Sequence, residues 1–350
     1  MSDEDTLPPE SAAATVGAGL VRSLMNFAVL RGADRQALST WSGIRPEDIE
    51  DHDNRIAFSS YLALIKAAQE LTGEPAFALY FGASVDMSEI SVLGLLTHAS
   101  ETMTDALAQI NRYGRLVIDT RVGASDLFEL RRRWNSLWVA DTRPRPFEIP
   151  ELAEVAFAQL VCGTRRIGIT GWLKSVHFTH PAPSYPKEYE LVFQAPVVCG
   201  SDWNALEFDE AFVSHRVAVA PRFVFGILSD RAEELLESLE RSKSVRGQVE
   251  SLLMPILHTG DIGIDALAVA LGLNRQSLYR KLKAEGVTFQ EVVDELRRKL
   301  AHHYLQGNKV SVNEIAYLLG FSDGTAFSRA FKRWTGQSPR SWRLARSNVN

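Results

Sequence analysis

The sequence predicts two parts of different class: an α+β N-terminal domain, and an all-α C-terminal domain with two helix-turn-helix units joined by a long helix. Three observations carry this. Two short helices across a glycine turn are patterned at 264–289 and again at 312–339. Ahead of them, helical stripes give way near residue 125 to short β-like segments with one returning helix, the order of an α+β domain. Charge is also split: residues 255–350 hold 14 Lys/Arg against 8 Asp/Glu, leaving 24 against 35 for the remainder.

At 350 residues, 45% hydrophobic and 23% charged, the chain has an ordinary globular composition with length for two domains. No apolar run approaches the about 18 residues of a membrane span. The opening MSDEDTLPPESAAAT lacks the basic-then-apolar order of a signal peptide, so residues 1–15 read as a disordered lead-in. Cys162 and Cys199 show no CxxC or Cys/His zinc spacing and fit a reducing cytosol. The expected location is cytoplasmic.

Residues 16–225 form the first domain. Leu20, Leu24, Phe27 and Leu30 mark a helix over 16–31, and a short helix follows over 34–42. Phe58 to Leu71 has Tyr61, Leu62, Ile65 and Ala68 on one face. Pro75 introduces a helix at 76–84, and two more cover Ser91–Ala99 and Met103–Val117, the second carrying Ala106, Leu107, Ile110 and Tyr113. From Ser125 to Arg133 the pattern becomes strand-like, with Leu127 and Glu129 on one face and Phe128 and Leu130 on the other. Trp138–Ala140 is its expected partner. Pro144, Pro146 and Pro150 punctuate a loop, and Ile149–Arg166 returns as a helix. Short β segments at Ser175–Thr179 and Pro196–Cys199 flank the link PAPSYP, and Ala205–Phe208 reads as the last strand.

Val219 to Phe225 leads out of this domain. Residues 226–248 read as a linker: a charged helix over Leu228–Glu240, then the polar RSKSVRGQ of 241–248. The second domain spans 249–346, its first helix being Val249–Leu257. In its first unit Ala268 and Gly272 stand where Ala316 and Gly320 stand in the second. Leu278, Arg280 and Leu282 likewise match Phe327, Arg329 and Phe331. Alanine lets the two helices approach closely. Glycine accepts the left-handed turn. The apolar residues seal the small core between the helices. In the second unit Val312–Leu319 is a helix broken at Gly320–Phe321. The next opens at Asp323–Thr325, runs to Trp334 and is stopped by Gly336 and Pro339. Between the units Phe289–Leu305 is a long helix whose Phe289, Val292, Val293, Leu296, Leu300 and Tyr304 face both. In such a motif the second helix lies in the DNA major groove.

The C-terminal third resembles the DNA-binding domain of AraC-type bacterial transcriptional regulators. The resemblance lies in ALGLNRQSLYRKLKAEG, ELRRKLAHHYL and IAYLLGFSDGTAFSRAFKRWTGQSPRSWR. The remainder resembles the arabinose-binding-type N-terminal domain found in a subset of that family. It does so in LTGEPAFALYFG, LGLLTHASETMTDALAQINRYGRL, VHFTHPAP and NALEFD. The His-rich, metal-ligating pattern of the family's sugar-barrel type is missing, so arabinose is not carried over as ligand. The resemblance implies a sequence-specific regulator whose two units read adjacent major-groove segments of double-stranded DNA, about one turn (~34 Å) apart. It implies an N-terminal domain that binds an unknown small-molecule effector, a second copy in a homodimer, or both. RNA polymerase is a partner if the output is activation, and no cofactor is implied. Control would be a population shift between DNA-competent and incompetent arrangements.

Helical spacing turns Leu278 and Leu282 inward and leaves Arg275, Gln276, Tyr279 and Arg280 outward. Arginine can bond guanine and glutamine adenine at two points. In the second unit Phe327 and Phe331 turn inward and leave Gly324, Thr325, Ser328 and Arg329, of which Gly324 has no side chain. Lys281, Lys283, Lys332, Arg333 and Arg340 suit phosphates or solvent. Trp334 and Trp342 read as core rather than base-stacking residues. His177 and His180 read as structural rather than as a metal pair, and His302 and His303 as solvent-facing or near phosphate. Arg131 to Arg133 suit a solvated strand edge, with an anionic effector as the alternative. Phe77, Tyr80, Phe81, Tyr113 and Trp138 line either a pocket or the core. No GxxxxGK loop or GxSxG elbow is present, and the expectation is a non-enzyme. A DNA-repair methyl acceptor would need a reactive cysteine in electropositive surroundings, and both cysteines read as buried. An N-terminal domain that only dimerises is the other alternative.

Overall fold

The computed structural model describes residues 14–120, 127–133, 136–143, 149–217, 222–260, 263–306 and 310–347. It forms two compact units, Met1–Leu236 and Glu237–Asn350.

The first unit begins with β1 (Thr15–Gly17), α1 (Ala18–Leu30), α2 (Arg35–Ser42) and β2 (Arg55–Ala57). Helices α3 (Phe58–Thr72), α4 (Phe77–Ser84), α5 (Met87–Ile90), α6 (Val92–Ala99) and α7 (Met103–Tyr113) precede β3 (Ile118–Asp119). Strand β1 is the centre of a small antiparallel sheet, flanked by β2 and β3. That sheet went unread because two- and three-residue strands are too short to show alternation. Of the expected lead-in, residues 1–13 lie outside the described residues. Ala14 is buried, and Thr15 already belongs to β1. The helix expected over 103–117 ends at Tyr113 and tightens into a 3-10 turn over Gly114–Leu116. A capping box between Thr102 and Asp105 opens it.

The second half of this unit is β4 (Phe128–Arg133), β5 (Ser136–Asp141), α8 (Pro150–Arg166), β6 (Leu173–His177), α9 (Pro186–Phe193), β7 (Val197–Val198) and β8 (Ala205–Phe208). The sheet order is β4-β5-β8-β6-β7, antiparallel except for the β6–β7 pair. Pro144 and Pro146 lie outside the described residues, while Pro150 is the first residue of α8. Helix α9 replaces the plain link expected around PAPSYP, because Pro186 occupies the first helical position, where its missing N–H costs nothing. Edge strand β4 is mostly exposed, so the expected alternation of buried and open faces is not realised there. Helices α4 and α8 contribute to the two largest cores of the unit. Phe77, Phe81, Leu152 and Val155 join the helical core, whereas Leu79, Ala153 and Phe157 join the core under the sheet with Val139, Val176 and Leu206.

Helix α10 runs over Arg222–Lys243, and α11 (Val245–Leu253) follows after Ser244 alone. The polar stretch expected as linker is therefore helical. Its Arg, Lys and Gln are good helix formers, and the Ser244 hydroxyl accepts the Gly247 N–H at 2.9 Å to start the new helix.

In the second unit a 3-10 turn (Met254–Thr259) leads to α12 (Ile264–Ala270), α13 (Arg275–Ala284), α14 (Phe289–Gln306), α15 (Val312–Leu318), α16 (Gly324–Thr335) and α17 (Pro339–Ser347). Pro339 starts α17, besides following the Gly336 stop. Val292, Val293 and Leu296 of α14 are buried in one core with Leu267, Leu278, Phe327 and Phe331. Phe289, Leu300 and Tyr304 pack at its edge.

Candidate nucleic-acid interface and effector cavity

Each second helix is started by a side-chain cap. Asn274 Oδ1 accepts the Ser277 N–H at 2.8 Å. Asp323 Oδ1 accepts those of Thr325 and Ala326, both at 2.8 Å, bonds that hold the Asp323 carboxyl below its ordinary pKa. From these starts Leu278, Leu282, Phe327 and Phe331 are fully buried. With those faces inside, Arg275, Gln276, Tyr279, Arg280, Lys281 and Lys283 of α13 are exposed, as are Thr325, Arg329, Lys332 and Arg333 of α16 and Arg340 of α17.

The exposed side chains are not equally free. Arg275 pairs with Asp265 of α12 at 3.0 Å and lies over the Tyr279 ring at 5.7 Å. Arg333 pairs with Asp294 of α14 at 3.0 Å. Ser328 is half-buried and donates its hydroxyl to Gly324 O at 2.7 Å. Gln276, Arg280, Lys283 and Lys332 have no hydrogen-bond or ion-pair partner among the described residues.

Sequence reasoning missed Arg297. On a charged helix it looks like another solvated arginine. It is half-buried, donates to Leu319 O at 2.8 Å and Gly320 O at 3.2 Å, and covers the Phe321 ring at 4.7 Å. Burial lowers its pKa against the opposing pull of Asp294. It thereby satisfies carbonyls left over at the end of α15. Glu285 was also missed; it accepts the Val245 and Arg246 N–H groups at 2.7 and 2.9 Å and caps α11.

His302 corrects the expectation of a solvent-facing residue. It is half-buried, with ring centroids 5.3 Å from Phe331 and 4.9 Å from Trp342; His303 is exposed. Trp334 and Trp342 pack at the edge of the core.

In the first unit a cavity of about 170 Å³ lies between α6, α7, β4 and α8. Leu93, Ile110, Phe128, Val155 and Leu160 are among its walls. Of the five aromatics read as pocket or core, none lines it: Phe77, Phe81, Tyr113 and Trp138 are core, and the Tyr80 hydroxyl donates to Glu188. Aliphatic walls are indistinguishable in sequence from core. Arg131 pairs with Glu129 at 2.6 Å and Arg132 with Glu210, all at the surface. His177 shares a 3.2 Å hydrogen bond with Ser201, and His180 lies 3.4 Å from the Tyr189 hydroxyl. Cys162 and Cys199 are half-buried rather than buried, and burial pushes both thiols up.

A two-unit helix-turn-helix body joined to a cavity-bearing α+β body is the build of a DNA-binding transcriptional regulator. A family model described as the arabinose-binding domain of AraC transcription regulators, N-terminal, matches residues 32–217, and a helix-turn-helix domain model matches 267–345. The chain belongs to the AraC family of transcriptional regulators. It is similar to the ornithine utilization regulator of Pseudomonas aeruginosa, 28% identical over 97% of this chain and 99% of that one. It also resembles the transcriptional activator RhaS of Escherichia coli, 38% identical over 33% of this chain and 42% of that protein. The crystal structure of the regulator CdpR from Pseudomonas aeruginosa aligns over 92% of this chain and 97% of that one, at 21% identity and a TM-score of 0.40. Among the described residues no helix is long and apolar enough to cross a membrane.

Proposed function

We propose that this regulator reads its operator with Gln276 and Arg280 of α13 and with Thr325 and Arg329 of α16. Lys281, Lys283, Lys332 and Arg340 meet phosphates. Arg275, Tyr279 and Arg333 also lie at this interface, but Arg275 and Arg333 are held by Asp265 and Asp294 and so position the backbone. The Ser328 hydroxyl is engaged by its own helix, which leaves base reading in the second unit to Thr325 and Arg329. The observation that carries the reading is the pairing of a fully buried apolar face with exposed, uncommitted polar side chains on both second helices. A small-molecule effector in the N-terminal cavity governs DNA affinity in a cytoplasmic homodimer, and RNA polymerase is contacted if the output is activation. The cavity favours this over a domain that only dimerises. The raised thiols weigh against a methyl acceptor.

Footprinting on the promoters flanking the gene should show two protected major-groove segments per subunit. Gln276→Ala and Arg280→Ala should each lower discrimination at one base pair by about 1–3 kcal/mol. Lys332→Ala should weaken all sequences alike. Unaltered base preference in both Gln276→Ala and Arg280→Ala refutes the assignment.

A further inference from the structure

The cavity's walls specify a ligand chemistry. Arg143 is the one guanidinium in them, and among the described residues neither carboxylate nor ammonium joins it. The charge of that guanidinium is already balanced by Asp141. Its Nε lies 3.0 and 2.9 Å from the two oxygens of Asp141, its Nη2 bonds the same carboxylate and Leu152 O, and both side chains are almost wholly buried. Thr97 donates to Gly94 O at 2.8 Å. Thr164 donates to Val161 O at 2.9 Å and accepts from Trp172 at 3.1 Å. The Gln159 amide and the His98 ring are the polar groups of the wall with no hydrogen-bond partner among the described residues.

We infer that the effector is a compact, uncharged and mainly apolar molecule carrying one hydroxyl or carbonyl, which Gln159 or His98 meets. This rests on the reading of the cavity as the effector site. Size sets the scale: an apolar cavity of about 150 Å³ takes benzene, so 170 Å³ suits roughly six to nine non-hydrogen atoms. Charge sets the class. An amino acid such as ornithine would bury two ammonium groups with no carboxylate among the described residues to receive them, and its own carboxylate would meet a guanidinium whose charge Asp141 already balances. A sugar would strand most of its hydroxyls, because two free polar groups cannot pair them all.

The test uses the full-length protein with phenol, benzyl alcohol and cyclohexanol, against L-ornithine and L-arabinose, read by calorimetric titration and by the melting of the first unit. Two substitutions narrow the cavity. Gly163→Leu has room, because a Cβ there meets only Arg166 Nη2 at 3.8 Å, and replacing a helical glycine favours α8. Ala156→Leu enters from the same helix face two turns earlier. The expected result is binding of at least one uncharged probe at millimolar concentration or below, no binding of ornithine or arabinose, and at least tenfold weaker binding in both variants. The inference is overturned if no uncharged probe binds, if its binding is unchanged in both folded variants, or if ornithine or arabinose binds and is displaced by them. Operator affinity, measured in the same samples, separates the two claims. A probe that binds in the cavity without changing DNA affinity upholds the ligand class and defeats the effector reading. Ornithine that changes DNA affinity, and loses that effect in the variants, does the reverse.

Discussion

Gly272 and Gly320 occupy the same place in the two helix-turn-helix units, yet alanine should cost very different amounts at each. Both adopt left-handed backbone, with φ of +64° and +70°, a conformation that costs an L-residue about 1–2 kcal/mol. At Gly272 that is the whole cost, since a Cβ meets nothing within 4 Å. At Gly320 the same atom would lie 2.1 Å from Leu257 O and 3.0 Å from Gly260 N. These are backbone atoms of the 3-10 turn and its exit, and they cannot rotate away. Forcing them apart adds a cost in the range of core overpacking, about 1–3 kcal/mol, and strains the Arg297 bonds to Leu319 O and Gly320 O. Gly272→Ala should therefore cost about 1–2 kcal/mol and Gly320→Ala about 2–5 kcal/mol. Hydrogen exchange resolved to peptides over 264–284 and 312–335 measures each unit separately, which a single global melt of a two-unit chain does not. Equal losses at the two sites, or a larger one at Gly272, would refute the reasoning.

Arg297→Met should destabilise α15 and α16 by about 1–3 kcal/mol, the cost of two stranded carbonyls, with exchange in α12 and α13 little changed; a uniform loss across both units would count against the capping role. Glu154 is 1% exposed and accepts hydrogen bonds from Tyr185 at 2.9 Å and from Tyr189. Burial raises its pKa from 4.5 to about 7 against those bonds. The folded chain thus holds a proton that the unfolded chain releases, so this contribution is complete below pH 4.5 and is lost as pH rises through 7. It amounts to about 3 kcal/mol at most. Glu154→Gln should flatten the melting profile of the first unit between pH 5 and 8, and a profile parallel to that of the unaltered chain would exclude Glu154 as the source.

Long periodic stretches were legible because burial wrote them into the sequence. The faces of α3 and α14 were read residue by residue, and so were the inward Leu278, Leu282, Phe327 and Phe331. What escaped was set by tertiary context. Helix α9 hid behind prolines, and the residues after Glu240 were polar enough to pass for linker until Ser244 showed itself as a cap. Arg297 and His302 are ordinary surface types whose burial depends on what folds over them. The cavity could not be seen because Leu93, Ile110 and Val155 would look the same in a solid core. For the interface, spacing identified the exposed positions. It did not reveal that Arg275 and Arg333 are engaged, since their acidic partners lie ten and thirty-nine residues away.

The central position of β1 bears on where this regulator can be cut. The family match opens at residue 32, but Val16, Val21 and Leu24 are fully enclosed by the body that match describes. Fragments trimmed to the homology limits would open the three-stranded sheet along its middle and bare the greasy side of α1's neighbours, inviting self-association. Resemblance and burial mark different borders here, and the border that folding respects lies at Ala14 or earlier.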